Sequence, residues 1–305
     1  MLQNSDKDWA FRTTPQANTD GRVSYWPRGK VLGGSSAINY MLYVRGDPRN
    51  YDFWENELGI EGWSYESVLP FFKKSESYMR KAALDETSDA FRGFGGELAV
   101  THMKDGEFET KDVTERFVAS CAAAGVKETN DYNASIQTGS SMSQITVKDG
   151  VRCDTASAFL FKNGAINRDN LTVIMNTRVT RLVIQGGTCT GVCIRPDSAV
   201  GDDECPEKTI RARREVVLSA GAVCSPWILL LSGIGPVDEL RKHEIPVAAD
   251  LPGVGASLSD HIFWPISYEM KPGLTNGFSD KSPFDVAKLI FNYYVRNAGL
   301  GMFPW

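Results

Sequence analysis

The chain has 305 residues, 42% apolar and 23% charged, an ordinary globular composition with length for about two domains. Its net charge is −5, from 33 basic and 38 acidic side chains, and no run of Lys or Arg reaches five, which argues against nucleic acid or a membrane surface as partner. The polar start "MLQNSDKDWAFRTTPQ" carries no signal peptide, and the longest apolar run, near "WILLL", is far short of a membrane span.

In chain order, residues 1–30 read as irregular, broken by Pro15, Gly21, Pro27 and Gly29. The run "SSAINYML" starts a helix after Gly34, with Ser35 as N-cap, stopped by Gly46 and Pro48. "NYDFWENELG" is a short helix ended by Gly59, and "SYESVLPFFKKSESYM" is another, with Ser64 as cap, Glu66 in the first turn and Pro70 near its start. Residues 80–96 read as a loop and "GELAV" as a short strand. "ETKDVTERFVASCAAAG" is an amphipathic helix with Val113, Phe117 and Cys121 on one face and Gly125 after its end. "SMSQITV" and "TASAFLF" fit strand or helix equally.

From Leu171 the pattern changes to strands: "LTVIM", "VTRLVI", "GVCIR" and "REVVLSAGA", with Gly186-Gly187 as a turn. "SPWILLLSGIGP" is a helix with Ser225 as N-cap, Pro226 at N1, Gly233 at C′ and Pro236 barring continuation. Residues 262–305 alternate strand-like and helical segments. A meander followed by strand-to-helix implies α/β architecture, and such folds bind ligands beyond the carboxyl ends of the strands, near Ser219, Ala220 and Gly221.

Two motifs carry chemistry. In "VLGGSSAIN", Gly33 and Gly34 let backbone approach a ligand, and Ser35 adds a hydroxyl; a plain Gly-Gly turn before a capped helix has the same sequence. In "LSAGAVCSPWILLLSGIGP", Ala220, Gly221 and Ala222 make a tight turn beside a nucleotide, or serve close packing alone. The cysteines at 121, 153, 189, 193, 205 and 224 read as buried or incidental thiols without zinc spacing, so no metal is expected. The histidines at 102, 243 and 261 read as structural.

Taken together and in order, "RGKVLGGSSAINYMLYVRG" and "GAVCSPWILLLSG" resemble the two signatures of the GMC (glucose–methanol–choline) family of FAD-dependent oxidoreductases. "DFWENELGIEGWSYESVLPFFKKSE", "VRCDTASAFL", "LTVIMNTRVTRLVI" and "DLPGVGASLSDH" also look like family text, in wording most similar to arthropod glucose-dehydrogenase-like members. The resemblance implies a Rossmann-like FAD-binding domain of the glutathione-reductase type, at 1–80 and 165–260, interleaved with an α/β substrate domain at 81–164 and 261–305. It implies oxidation of the CH–OH group of an alcohol or a sugar such as glucose, by hydride transfer to FAD, with a quinone, dye or oxygen as electron acceptor.

By position, the resemblance sets Gly33, Gly34 and Ser35 beside the FAD diphosphate and ribityl, and Asn39, Tyr40 and Leu42 along the isoalloxazine. It sets Val179 at the adenine, and Ala220 and Gly221 near the adenosine half. The family's GxGxxG turn is not among Gly93-Phe94-Gly95, Gly233-Ile234-Gly235 and Gly253-Val254-Gly255, which continue to Leu98, Asp238 and Leu258. None of the histidines matches the family's C-terminal catalytic His, expected beyond residue 305. The chain therefore reads as a fragment lacking both ends, expected to hold FAD weakly and turn over little; arthropod members of the family are often secreted, and the compartment is left open. The alternative is a non-catalytic relative that binds a ligand or partner on the same scaffold. Local letters differ from the family at Cys224-Ser225-Pro226-Trp227 and Ser257-Leu258-Ser259-Asp260-His261.

Overall fold

A computed structural model of the protein describes residues 3–79, 86–103, 111–199 and 205–261, with 266 and 282. The strand and helix expectations for 262–305 lie outside the described residues. The chain divides into two compact units at the Leu171–Thr172 bond.

The first unit opens with β1 (Phe11–Arg12) paired antiparallel to β2 (Tyr25–Trp26), so the stretch that reads as irregular contains a small ladder. Asp8 holds it: its buried carboxylate accepts from the backbone N–H of Asn4, Ala10 and Arg28 at 2.8–2.9 Å, and from the Tyr25 hydroxyl. After Gly33, only Gly34–Ala37 is helical, as one 3₁₀ turn whose N-cap is Gly33. The longer helix capped by Ser35 does not form. Met41 instead takes φ +62°, and the chain runs on alongside a sheet.

Helix α1 (Pro48–Asn56) starts on Asp47, whose side chain accepts from the Arg49 N–H, with Pro48 in the first turn. Helix α2 (Tyr65–Ser75) has Ser64 at its N-cap, but the side-chain bonds come from α1: Glu55 takes the Ser64 N–H at 2.8 Å and Asp52 the Tyr65 N–H at 3.0 Å. The second half of the expected helix is a strand, β3 (Glu76–Met79). A short helix α3 (Glu86–Asp89) leads to β4 (Leu98–His102). Helix α4 (Lys111–Ala123) follows, ended near Gly125 at φ +90°. Among its described side chains Val118 is buried and Val113 and Cys121 are half-buried, whereas Phe117 is 67% exposed; the expected face holds at Val113 and Cys121, with Val118 in place of Phe117 between them.

Strands β5 (Gln144–Ile145), β6 (Val147–Lys148) and β7 (Val151–Arg152) follow. β3 pairs parallel to β4, and β4 antiparallel to β5. β6 and β7 form a hairpin across Asp149-Gly150, both with positive φ, as a two-residue primed turn requires. "TASAFLF" resolves as a π-helical turn, Ser157–Phe161. Ala99, Cys153 and Ala158 form a core cluster here.

The second unit is built on a meander: β8 (Thr177–Gln185), β9 (Thr188–Pro196) and β10 (Lys208–Arg211), in the order β10-β9-β8. Gly186 and Gly187, at φ +56° and +78°, make the β8–β9 turn. "LTVIM" and "REVVLSAGA" join no sheet among the described residues. Residues 216 and 218 are half-buried while Val217 is 77% exposed, which is the alternation of a strand without its neighbour. Helix α5 (Gly221–Leu231) begins four residues before Ser225, so Ser225 and Pro226 lie inside it, and Gly233 follows its end at φ +78°. It packs on β8. β11 (Ile234–Gly235), α6 (Val237–Lys242) and β12 (Ala249–Asp250) complete the unit, with β11 and β12 parallel.

Candidate functional site

The Gly-Gly motif folds back on itself. A Cβ on Gly29 would lie 2.1 Å from the Gly34 carbonyl oxygen, so that crossing demands glycine. Gly33 has φ +88°, and a Cβ there would lie 2.8 Å from Asp154 Oδ1. Gly34 has φ +55° with nothing within 4 Å of its missing Cβ, so this side of the loop is open. The exposed Ser35 accepts the Gly29 N–H on Oγ at 3.2 Å.

A second segment, 151–155, walls the loop. Ser36 Oγ donates to Gly33 O at 2.6 Å and accepts the Thr155 N–H at 3.0 Å, while Thr155 Oγ1 donates to Gly33 O at 3.1 Å. Arg152 donates from Nη1 to Ser36 O at 3.0 Å and Asn39 Oδ1 at 2.9 Å, and from Nη2 to Asn39 O at 2.9 Å. Asp154 caps the following turn, accepting the N–H of Ala156 and Ser157 at 2.9 and 3.0 Å. "VRCDTASAFL" resembles family text, but no local pattern ties it to a loop more than a hundred residues earlier.

Past Asn39 the chain lies along the β5 edge. Tyr43 N–H donates to Gln144 O at 2.8 Å and Thr146 N–H to Met41 O at 2.9 Å, with Leu42 bridged to Ile145. Side chains then alternate. Met41 and Arg45 are buried, and Tyr40, Leu42 and Val44 face outward at 55%, 55% and 57% exposure. Asn39, Tyr40 and Leu42 are thus exposed, in the segment that directly follows the Gly33–Ser35 loop.

Beneath that segment lies an ionic cluster that sequence reasoning does not find. Buried Arg45 donates from Nη2 to Glu76 Oε2 at 2.7 Å, and Arg92 donates from Nη1 to Glu76 Oε1 at 2.8 Å. Arg92 also binds Asp131 through Nε at 2.8 Å and through Nη2, and Gln144 Oε1 at 2.6 Å. Asn133 Oδ1 accepts the Arg45 N–H at 2.7 Å, and its Nδ2 donates to Tyr43 O at 3.0 Å. Burial alone would lower the Arg92 pKa; bonding to Asp131 and the Glu76 and Asp131 charges raise it instead. The cluster fixes the backbone of residues 43–45 from below.

The remaining expected contacts lie in the second unit. Val179 is half-buried in β8, opposite Ile194, where a bulge shifts the register before Arg181. Ala220 is the N-cap of α5, and Gly221 opens it at φ +86°; both are exposed. Ser232 fastens α5 to β8, donating to Ile228 O at 2.5 Å and accepting the Leu182 N–H at 2.8 Å. A cavity of about 320 Å³ beside them is lined mainly by apolar residues, including Leu182, Val216, Leu218 and Leu229.

His102 is buried at the end of β4 with Nε2 3.2 Å from Asn130 O. His243 pairs with Glu239 within one turn of helix at 3.1 Å, and His261 is exposed. All six cysteines are free thiols.

The family model of GMC oxidoreductases matches residues 12–263. The oxygen-dependent choline dehydrogenase of Brucella anthropi is 38% identical over 96% of this chain and 50% of its own length. The Drosophila melanogaster glucose dehydrogenase (FAD, quinone) is also 38% identical, over 85% of this chain and 40% of its own. The chain thus spans about half the length, or less, of these curated relatives. Among solved structures, pyridoxine 4-oxidase from Mesorbium loti superimposes with TM-score 0.72 at 29% identity, covering 82% of this chain and 46% of that one. An FAD-dependent oxidoreductase from Chaetomium thermophilum gives 0.71 at 29%, over 81% and 42%. With both glycine motifs inside the matched span and the mixed α/β fold of these FAD enzymes around them, the chain belongs to the GMC oxidoreductase family.

Proposed function

We propose that this chain forms the cofactor-side half of an FAD-dependent oxidoreductase acting on the CH–OH group of an alcohol or sugar. The observation that carries the reading is one open stretch of the first unit. There a glycine loop with nothing within 4 Å of the missing Gly34 Cβ continues into exposed Asn39, Tyr40 and Leu42. Small residues admit a diphosphate close to backbone, and a flat apolar row with one amide at its end suits the edge and face of an isoalloxazine.

In this reading Gly33, Gly34 and Ser35 serve the diphosphate and ribityl, Asn39, Tyr40 and Leu42 the ring, and Val179, Ala220 and Gly221 the adenosine half. The cofactor domain takes residues 1–80 and 165–260, and the substrate domain the rest. Bound FAD supplies the hydride-accepting chemistry. The chain's own residues hold and orient it: Thr155 and Ser36 brace the Gly33 carbonyl, Arg152 fixes Asn39, and the buried Arg45–Glu76–Arg92–Asp131 cluster keeps the ring-facing row from yielding. Choline and glucose are the first substrates to try, because relatives named for each are equally identical.

The test is the visible flavin spectrum of the purified full-length protein, with and without added FAD, then with choline or glucose. Retained flavin that bleaches anaerobically with an alcohol is expected. Absence of bound flavin after reconstitution would refute the reading.

A further inference from the structure

We propose that Arg152 is a positioning residue that locks the Asn39 side chain so that Nδ2 faces the cofactor as a hydrogen-bond donor. The inference rests on the FAD reading above. Asn39 Oδ1 accepts from Arg152 Nη1 at 2.9 Å and from the Met41 N–H at 2.9 Å. A guanidinium and a backbone N–H can only donate. The atom they share must therefore be the amide oxygen; the flipped amide would set donors against donors. Chemistry fixes an orientation that shape alone leaves open.

The same guanidinium reaches the Ser36 and Asn39 carbonyls at 3.0 and 2.9 Å. One planar fork thereby spans the loop backbone and the side chain, which a lysine ammonium cannot do. With Oδ1 taken by two donors, Nδ2 has no acceptor among the described residues, and Asn39 is exposed. Asn39 directly precedes the exposed Tyr40 and Leu42. A ligand edge that meets Asn39 must therefore offer an acceptor, a carbonyl or an unprotonated ring nitrogen, both present on a flavin ring.

Asn39→Asp separates the two roles of this residue. A carboxylate still accepts from Arg152 and Met41 but has no N–H to give. In the full-length protein, stripped of flavin, FAD affinity is measured by fluorescence titration, ADP affinity by displacement, and stability by thermal unfolding. The expected result for N39D is about tenfold weaker FAD binding, unchanged ADP binding and an unchanged unfolding temperature. Arg152→Lys should weaken FAD comparably and leave ADP alone, and the double variant should be no worse than either single one. FAD binding by N39D equal to wild type would overturn the donor role. Equal loss of FAD and ADP would overturn it too, since the added charge would then act on the diphosphate. Full FAD affinity in R152K would overturn the positioning role. A wild-type protein that binds no FAD would refute the underlying reading instead.

Discussion

Arg92→Met tests whether the buried ionic cluster holds the first unit together. Arg92 and Arg45 face Glu76 and Asp131, and all four side chains are essentially sealed from solvent. Charges balance only while both arginines are present. Methionine fills much of the volume but strands Asp131, removes one of three donors from Glu76, and leaves Gln144 Oε1 with Asn133 Nδ2 as its remaining donor. Breaking one side of a buried pair costs about 3–5 kcal/mol, a large part of the roughly 5–15 kcal/mol that holds a typical protein folded. At a urea slope of about 2 kcal/mol/M, the midpoint should fall by roughly 2 M. Asp131→Asn alone should also destabilise, but R92M/D131N should cost less than the sum of the singles by about 1 kcal/mol or more, because the second change removes the stranded charge. A loss below about 1 kcal/mol for R92M, or simple additivity in the double variant, would show that the cluster is not a coupled unit.

Three other outcomes follow from particular contacts. Burial opposes ionisation of Asp8, but the Tyr25 hydroxyl and the N–H groups of Ala10, Asn4 and Arg28 hold its pKa at about 2, against 3.8 ordinarily. A depressed folded pKa stabilises above the unfolded value and loses that contribution as pH falls through the folded one; acid titration of Asp8→Asn should lack this loss between pH of about 4 and 2, and a wild-type-like acid slope would sink the idea. Gly29→Ala sets a Cβ 2.1 Å from Gly34 O, so it should cost about 1–3 kcal/mol and weaken FAD retention; calorimetry with wild-type behaviour would contradict the crossing. Ser232→Ala leaves the Leu182 N–H without its 2.8 Å acceptor and should cost about 1–3 kcal/mol in urea unfolding, whereas a neutral result would mean that water replaces the hydroxyl.

Local signals were legible where one short stretch decides the outcome. Gly59 follows the end of α1 and Gly186-Gly187 joins β8 to β9, all at positive φ as their types demand, whereas Pro48 opens α1 rather than stopping a helix before it. The sequence misleads where the deciding partner is distant. "SESYM" continues a helical pattern, but Glu76 is drawn into β3 by Arg45 and Arg92, 31 and 16 residues away. Ser35 has the chemistry of an N-cap, yet Gly33 and Gly34 both take positive φ, and the chain leaves helix after one turn to run along β5. "LTVIM" and "REVVLS" have strand propensity, but a strand needs a neighbour to hydrogen-bond, and propensity does not supply one.

The same distinction explains the site. Gly33, Gly34 and Ser35 announce themselves because a ligand-binding loop and a tight turn demand the same residues. What converts that ambiguous turn into an oriented surface is Arg152, 113 residues from Asn39, and nothing local marks this arginine among the 33 basic residues of the chain. Backbone geometry makes the cradle possible; a distant guanidinium decides which end of one amide it presents. The polarity that Asn39 presents is therefore a tertiary property, which is why Asn39→Asp and Arg152→Lys probe it more directly than any change to the glycines.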